Sequence, residues 1–450
     1  MSEISTPITA ELEPTPSLEG LFAELLEQEP KPISNFVPTN AKEQREIFIN
    51  GDARKPDNDY GKLQAIDFES KKAKITELLE QIVAHPDVKD KFRTVYEQFG
   101  QNYLDKTEYM SIVNEYNQSE DGDAKLALGN KLMKKNVELF GEPDKRTYDS
   151  ILSEKIESVK AMELSEQDAQ IRTELLELIG ERGSEKVERF KPSDETVKWV
   201  GEVVDALFGT LIEHVPNQEN FSDVEIKAIF DEIIKEEFGE SAEGWVVDIE
   251  KAQGINVKAS EKRIVIPEGK ELDLKNMKGR VVHELGTHFL RSLMGEQTDL
   301  LPFKLGLSEY YDSEEGLGVV TEQALDGKYD ESGLGHYLTA GLAYFDQKDF
   351  RDIYEIKWRL ELLENAKLTA DEKGIASAKD TAYTNTMRIM RGTDDLPWFK
   401  DLSYYNGAAE VWQHMENIRG DEVELMLVLL GKGNAANPAH RRIMLETATV

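Results

Sequence analysis

The stretch Met277–Gly295 reads M-K-G-R-V-V-H-E-L-G-T-H-F-L-R-S-L-M-G and organises the rest of the chain. Its apolar residues recur at three- and four-residue spacing, as on one face of an α-helix: Val282, Leu285, Phe289 and Leu293. We expect Asn276 to cap this helix and Gly295 to end it. Because glycine inside a helix costs about 1 kcal/mol, we expect another backbone to pack closely against Gly286.

His283, Glu284 and His288 are the candidate metal-binding and catalytic residues of this helix. We interpret the segment as the H-E-x-x-H pattern, in which two histidines one helical turn apart converge on a tetrahedral metal ion, usually zinc. Glu284 would then lie beside that face, hold the attacking water and take its proton. The alternative is a pair of buried histidines that serves only the structure.

The composition excludes several classes of function. The 450 residues carry a formal net charge of −34, and a surface this acidic repels phosphate backbones, so we expect no nucleic-acid partner. The absence of cysteine excludes disulfides, thiolate zinc ligands and cysteine nucleophiles. There is no apolar run long enough to span a membrane and no signal-peptide pattern at the N-terminus. We therefore predict a cytoplasmic protein that has no membrane partner.

The pattern of apolar residues predicts an α+β fold that is mostly α-helical, with a small β-sheet before the histidine-bearing helix. Residues 1–35 are predicted to be a disordered acidic tail with one short helix, residues 36–190 a helical region packed on the catalytic part, and residues 191–450 the catalytic domain. Predicted helix boundaries are ends at Gly141 and Gly180, a start at Pro143, and caps at Ser165, Ser193 and Ser222.

Three short β-rich segments precede the histidine-bearing helix: Trp245–Ile249, Ile255–Val257 and Arg263–Pro267. The last two are predicted to form a hairpin. In thermolysin-like zinc peptidases an edge strand beside the metal helix pairs with an extended substrate. We expect residues 256–267 to supply such an edge.

Two histidines leave one protein ligand to be found. Met294 stands where the metzincin pattern has its third histidine, six residues after His288, so that pattern is excluded. A carboxylate on the next helix is the other common solution. That helix is predicted to be capped by Asp312 and Ser313 and to run to about Gly327. Its first turn offers both Glu314 and Glu315, although acidic residues there also complement the helix dipole.

The segments His283–Arg291 (H-E-L-G-T-H-F-L-R) and Glu314–Gly318 (E-E-G-L-G) resemble the microtubule-associated tyrosine carboxypeptidases. They also resemble the bacterial flavohaemoglobin-expression-modulating QEGLA-motif proteins of the same family. Weaker matching blocks are Leu139–Asp144, Arg391–Gly392 and Lys400–Gly407. The resemblance covers the chain from about Phe36 onwards.

The resemblance implies a zincin-like metallopeptidase of gluzincin type. His283, His288 and Glu315 would be the Zn²⁺ ligands and Glu284 the general base. Gly318 replaces the family's alanine, which we regard as a minor change. The position four residues after Glu315, where thermolysin-like enzymes carry an aspartate, holds Val319. Glu322 is the candidate to support the ligands instead.

A carboxypeptidase also needs a cation for the terminal carboxylate of its substrate and a donor for the oxyanion. The candidates are Arg388, Arg391 and Lys400 for the first role and Tyr404 for the second. The remaining histidines with no paired spacing are read as ordinary residues: His336, His414 and His440.

The favoured function is removal of a C-terminal residue from a peptide or protein, with endopeptidase action as its variant. We do not assign to this chain the specificity of animal members for the C-terminal tyrosine of tubulin, because an acidic protein repels an acidic substrate tail. The rival is a regulatory or binding protein that keeps zinc for structure alone.

Overall fold

Helices make up most of the computed structural model, which describes residues 16–181, 187–252 and 254–448. Its first part consists of α1 (Leu18–Glu27), α2 (Pro32–Asn35), α3 (Ala41–Asn50), α4 (Gly61–Gln64), α5 (Phe68–Ala84), α6 (Arg93–Gln118), α7 (Gly122–Phe140), α8 (Lys145–Ala161) and α9 (Glu166–Ile179). A 3₁₀ turn, Asp90–Phe92, leads into α6. None of the helices in the described ranges is both long and apolar enough to cross a bilayer.

The N-terminal segment is folded from residue 16 onwards. Ser17 caps α1, and the helix buries Leu18, Leu21, Phe22 and Leu25 in the core. The expected short helix is therefore present, but it is packed on the core, so the expected disorder is wrong for this stretch. The rest of the predicted tail up to Thr15 lies outside the described residues.

Most of the predicted helix boundaries are confirmed. Gly141 and Gly180 follow α7 and α9 at a φ of 79°, a left-handed conformation that glycine adopts without strain. Ser165 caps α9 through its side chain. Pro143 does not begin α8, because Asp144 accepts the amide of Thr147 and acts as the cap.

The middle of the chain contains two helices and two small sheets. Its elements are α10 (Asp194–Glu213), β1 (Asn220–Ser222), α11 (Asp223–Ile233), a π turn (Ile234–Phe238), a 3₁₀ turn (Gly239–Ala242), β2 (Val246–Glu250), β3 (Asn256–Lys258), a 3₁₀ turn (Ala259–Glu261), β4 (Arg263–Pro267) and β5 (Glu271–Asp273). Ser193 caps α10, and Ser222 forms the predicted capping box with Glu225.

The three predicted strands form one sheet in the order β2–β4–β3. The hairpin of β3 and β4 is confirmed, with Val257 opposite Ile264. β3 lies at an edge of the sheet and contacts the histidine-bearing segment. β4 is central and pairs in parallel with β2, so only the β3 half of the predicted edge is an edge. A second sheet, β1 with β5, was not predicted.

The remaining helices complete the chain: α12 (Leu274–Arg280), α13 (Leu290–Glu296), α14 (Tyr311–Leu325), α15 (Leu334–Tyr344), α16 (Phe350–Glu364), α17 (Glu372–Met390), α18 (Ser403–Asn417), α19 (Glu422–Leu429) and α20 (Pro438–Ala448). The π-helical segment Val281–Phe289 joins α12 to α13, and 3₁₀ turns occupy Leu301–Lys304 and Phe399–Leu402.

Several details of these helices differ from expectation. Asp273 caps α12 by accepting the amide of Asn276, so Asn276 is not the cap. α14 begins at Tyr311, so Asp312 and Ser313 lie inside its first turn, where the Ser313 hydroxyl donates to the carbonyl of the cap residue Tyr310. In both helices the capping position belongs to a residue earlier in the sequence than the predicted one: Asp273 for α12 and Tyr310 for α14.

Neither glycine of the histidine-bearing helix has its expected role. A Cβ on Gly286 would lie 3.2 Å from the ring of Phe208, so a side chain and not a backbone packs there. Gly295 does not end the helix, which runs on to Glu296. A Cβ on Gly295 would lie 2.6 Å from the backbone of Lys304, and the close backbone approach is therefore at this position.

Two large hydrophobic clusters hold the fold together. One joins α1, α5 and α6 to α10, α11, the three-stranded sheet and the histidine-bearing helix. The other joins α8 and α9 to α15, α16 and α17. Both clusters draw residues from either side of the predicted boundary near residue 190, so the described helices that precede this boundary and contribute to the clusters are part of the scaffold around the site.

Candidate metal centre

The spacing of the two histidines corrects the interpretation of the motif. His283 and His288 are five residues apart, so the pattern is H-E-x-x-x-H, one residue longer than H-E-x-x-H. On an α-helix of 3.6 residues per turn, residues five apart point about 140° away from each other. A regular α-helix would therefore separate the two imidazoles.

The π-helical segment Val281–Phe289 removes this difficulty. Its i→i+5 hydrogen bonding returns a residue five positions later to nearly the same face. The Thr287 hydroxyl reinforces the wider turn by donating to the carbonyl of Val282, five residues earlier, at 3.1 Å. The rings of His283 and His288 consequently lie 4.8 Å apart between centroids.

Glu315 completes a group of three side chains that could hold a metal ion. One ligand atom from each of His283, His288 and Glu315 lies within 4.8 Å of the other two. Nδ1 of His283 faces Glu322 and Nδ1 of His288 faces Glu314, which leaves Nε2 of each ring free. Two imidazoles and one carboxylate are the donor set of many zinc enzymes, so these residues fit a zinc ion.

Helix α14 carries Glu315 and approaches the histidines through small residues. A Cβ on Gly316 would lie 2.2 Å from the backbone of Gly407 in α18. A Cβ on Gly318 would lie 2.6 Å from Cε1 of His283. Replacing Gly318 by alanine is therefore not a minor change in this structure, because the methyl group would occupy the space of the His283 ring.

Glu322, the predicted supporting residue, lies one turn further along α14. Its Oε1 is 2.6 Å from Nδ1 of His283, a close contact in which neither atom completes a well-aligned hydrogen bond. Arg280 Nη2 lies 2.9 Å from the same oxygen. Burial acts to raise the pKa of Glu322, but His283 and Arg280 outweigh it and lower the pKa.

Glu314 forms a hydrogen bond with the second histidine, His288. Its Oε1 accepts from Nδ1 of His288 at 2.9 Å, and its Oε2 accepts from Arg291. Lys432 Nζ lies 3.5 Å from Oε1. Burial opposes the charge of Glu314, yet Arg291 and Lys432 hold its pKa well below the usual range. Glu314 is thus a buried anion that orients His288, while Glu315 faces the histidine pair.

Glu284 lies beside the three candidate ligands and is 3% exposed. Arg280 Nη1 is 3.5 Å from its Oε1, at i,i+4 spacing along the helix. His283 and His288 are 5% and 9% exposed, whereas Glu315 is only half-buried. The access of solvent to the centre is therefore on the side of Glu315.

The three predicted cations converge on Asp401, which the sequence reasoning did not single out. Arg388 Nε lies 2.5 Å, Lys400 Nζ 3.3 Å and Arg391 Nη2 3.6 Å from its carboxylate. Burial acts to raise the pKa of Asp401, but the nearby Lys400 and Arg388 hold it well below the usual range. One anion thus faces three cations, and the cluster keeps an excess of positive charge.

Tyrosines connect this cluster to the candidate ligands. The Tyr311 hydroxyl accepts from Lys400 and hydrogen-bonds Glu315. Tyr404 hydrogen-bonds Arg388, whose guanidinium lies 5.1 Å from its ring centroid. Burial, together with the charge of Glu315, raises the pKa of Tyr404 well above 10, so its hydroxyl stays protonated and can donate.

His336, read from the sequence as an ordinary residue, lies at this site. Its ring is 5.9 Å from that of Tyr404. Burial and the nearby Arg388 lower its pKa to about 4, so the imidazole is neutral at physiological pH. Among the described residues, neither His414 nor His440 belongs to the group of candidate ligands, and Nδ1 of His440 accepts from the backbone amide of Asn434.

Besides His336, sequence reasoning missed further residues of the site: Arg280, Arg291, Tyr311, Asp401 and Lys432. Arg291 and Asp401 stand inside the quoted blocks, and their presence in those blocks was the available signal. Lys432 lies 117 positions after Glu315 in the sequence, and no local pattern joins it to the site.

Comparison with known proteins supports one family. A family model described as microtubule-associated tyrosine carboxypeptidase matches residues 144–440, which is more than half of the chain. No curated protein and no solved structure matches the chain.

Proposed function

The chain belongs to the microtubule-associated tyrosine carboxypeptidase family, and on that basis we propose that it is a zinc-dependent carboxypeptidase that removes a C-terminal residue from a peptide or protein. His283, His288 and Glu315 are the proposed ligands on a zincin-like scaffold of gluzincin type. The observation that carries this proposal is the convergence of these three side chains next to the buried Glu284.

A bound Zn²⁺ would supply Lewis acidity, which polarises the scissile carbonyl and lowers the pKa of a water molecule. In the proposed reaction Glu284 takes the proton of the attacking water and delivers it to the leaving amine. Arg280 keeps the Glu284 carboxylate in place from one turn earlier in the helix. Glu314 and Glu322 orient the two imidazoles through their Nδ1 atoms.

The groups on the open side of the site would handle the substrate. Tyr404, a protonated hydroxyl, is the proposed donor to the developing oxyanion. The cations around Asp401 provide the positive charge that a terminal carboxylate requires. The edge strand β3 contacts the histidine-bearing segment and offers free backbone groups to an extended peptide.

The family description names tyrosine as the residue removed and microtubules as the partner. For this chain we propose the C-terminal exopeptidase reaction and leave the side-chain preference to experiment. An acidic protein with a net charge of −34 is poorly suited to an acidic tail except at a local cluster of cations.

The test is cleavage of a mixed peptide library, read by mass spectrometry, before zinc removal by a chelator, after it, and after zinc is restored. We expect loss of single C-terminal residues that disappears with the metal and returns with it. If the protein held stoichiometric zinc before chelation and after zinc was restored, yet cleaved no peptide in either state, the proposal would be rejected in favour of a structural zinc site. Internal cleavage would replace the exopeptidase assignment by an endopeptidase one.

A further inference from the structure

Asn136, on helix α7, is a fully buried amide that holds a backbone segment far away in the sequence. Its Nδ2 donates to the carbonyl of Pro397 at 2.9 Å, and its Oδ1 accepts from the backbone amide of Phe399 at 3.1 Å. The side chain is 0% exposed. Both the donor and the acceptor of the carboxamide are thus used on one short segment, so the backbone on either side of Trp398 is fixed to α7.

The backbone that Asn136 holds leads directly into the 3₁₀ turn Phe399–Leu402. This turn carries Lys400, whose side chain is buried. Lys400 Nζ contacts the Tyr311 hydroxyl, and Tyr311 lies one helical turn before Glu315 on α14. The placement of the turn therefore decides where the ammonium group of Lys400 stands relative to the candidate metal centre.

The indole of Trp398 extends the same support to Arg391. The guanidinium of Arg391 lies 4.7 Å from the ring centroid of Trp398, and its Nη2 is 3.6 Å from the carboxylate of Asp401. The indole packs edge-on against Phe140, with the ring centroids 5.8 Å apart. Phe140 lies one helical turn after Asn136 on α7. Helix α7 thus supports two of the three cations around Asp401.

The burial of this contact makes the amide hard to replace. Pro397 and Phe399 are buried, so solvent has little access to the two backbone groups that Asn136 satisfies. An apolar side chain of similar size at position 136 would leave a carbonyl and an N–H group without these partners, a penalty that the segment escapes only by moving. A satisfied buried amide also fixes one arrangement of the backbone, which apolar packing alone does less well.

Building on the proposed function, we propose that Asn136 is a positioning residue for substrate binding. By fixing the backbone around Trp398, it places Lys400 where the terminal carboxylate of the substrate is bound. Its action is indirect, because both of its hydrogen bonds go to the backbone of the segment. Asn136 precedes the residues 144–440 that the family model matches, so an earlier part of the chain also shapes the substrate site. Its loss should weaken substrate binding and leave the chemical step at Glu284 in place.

The experiment compares Asn136→Leu with Leu78→Ala as control. Leu78, on α5, is 1% exposed and belongs to a hydrophobic cluster that includes no residue of the segment 391–402, so its truncation destabilises the fold without touching that segment. Urea unfolding would establish that both variants are folded and how far each is destabilised.

Steady-state kinetics on the best library peptide should show KM raised about 10-fold for Asn136→Leu, with kcat nearly unchanged. Leu78→Ala should have the KM of wild type. An equal rise in KM for both variants would overturn the proposal, because the effect would then follow from lost stability alone.

Asn136→Asp tests the same proposal if Asn136→Leu does not fold. It keeps the size of the side chain and the acceptor for the Phe399 amide, and it loses the donor to the Pro397 carbonyl. We expect KM to rise about 3- to 10-fold. An unchanged KM would show that the bond to Pro397 does not position the substrate site, and the proposal would be wrong.

A double variant separates positioning from general damage. In the Glu284→Gln background, calorimetry would give the affinity for the best library peptide after Asn136→Leu, after Lys400→Met, and after both changes together. If Asn136 acts through Lys400, the double variant should bind about as weakly as Lys400→Met alone. Losses that multiply in the double variant would show that Asn136 acts elsewhere and would overturn the proposal.

The two proposals fail in different ways. If wild type releases C-terminal residues but Asn136→Leu and Asn136→Asp leave KM unchanged, the positioning role is wrong and the carboxypeptidase stands. If wild type cleaves no peptide, and the Glu284→Gln protein binds peptides as free acids no better than as C-terminal amides, the carboxypeptidase proposal fails and the positioning role fails with it.

Discussion

Gly318 of α14 faces the ring of His283 so closely that a Cβ there would lie 2.6 Å from Cε1. Glu322, one turn further along α14, lies 2.6 Å from Nδ1 of the same ring. Because a methyl group at position 318 would occupy the space of the ring, the glycine is a condition for the orientation of the imidazole.

Gly318→Ala should weaken zinc binding about 10- to 100-fold, as expected when the orientation of a metal ligand is disturbed. Competition with a chromophoric chelator would measure the change. Gly209→Ala is the matched control, since a Cβ at that helical position meets nothing within 4 Å. Equal zinc affinities for Gly318→Ala and wild type would show that the ring can shift freely.

Glu314→Gln should destabilise the protein by about 3 kcal/mol, because Arg291 and Lys432 would remain buried without their anion. Urea unfolding of the metal-free protein measures this effect apart from zinc binding. Glu202→Gln serves as the comparison, since its pair with Lys198 at 3.6 Å is exposed and should be worth at most about 1 kcal/mol. Similar losses in both variants would contradict the role assigned to Glu314.

The buried Asp401 predicts a specific sensitivity to acid. Its pKa is lowered in the folded state by Lys400 and Arg388 against the effect of burial. In the unfolded chain the pKa of an aspartate is about 3.9. Because the pKa of Asp401 is lower than this in the folded state, its ionised carboxylate stabilises the fold at pH values above the unfolded pKa. This stabilisation is lost as the pH falls from the unfolded pKa towards the folded pKa. The difference in unfolding free energy between wild type and Asp401→Asn should be constant from pH 7 to 5 and shrink below pH 4. If this difference in unfolding free energy instead grew as the pH fell, the pKa of Asp401 would be raised in the folded state, and the prediction would be wrong.

Tyr404→Phe should lower kcat about 100-fold without changing zinc content, because it removes only the proposed donor to the oxyanion. Tyr405→Phe is the control on the same helix, where the ring packs 5.1 Å from that of Tyr337. Stopped assays on the best library peptide would separate kcat from KM. A loss confined to KM would reassign Tyr404 to substrate binding.

Local signals in the sequence predicted much of the scaffold. Side-chain caps such as Ser165 and Ser222 and the glycines that follow α7 and α9 depend on a few adjacent residues, and the structure confirms them. The β3–β4 hairpin is equally local. The parallel pairing of β2 with β4 and the short pair of β1 with β5 depend on distant partners, which periodicity cannot identify.

The same distinction applies to the site. Glu315 lies beside His283 and His288, and its role as a ligand stays a prediction. The π-helical turn was missed because the spacing was interpreted as that of an α-helix, although five residues between the histidines already require a wider turn. Asp401 and Lys432 were missed because long-range packing alone brings them to the site.

The central claim is that a zinc ion bound by His283, His288 and Glu315 works together with Glu284 as the base. The most direct test is the paired measurement of zinc content and C-terminal residue release for wild type and Glu284→Gln. We predict about one zinc per chain in both proteins and release by wild type alone. Full activity in Glu284→Gln would contradict the mechanism, and absence of zinc from the wild-type protein purified with zinc present would contradict the metal centre.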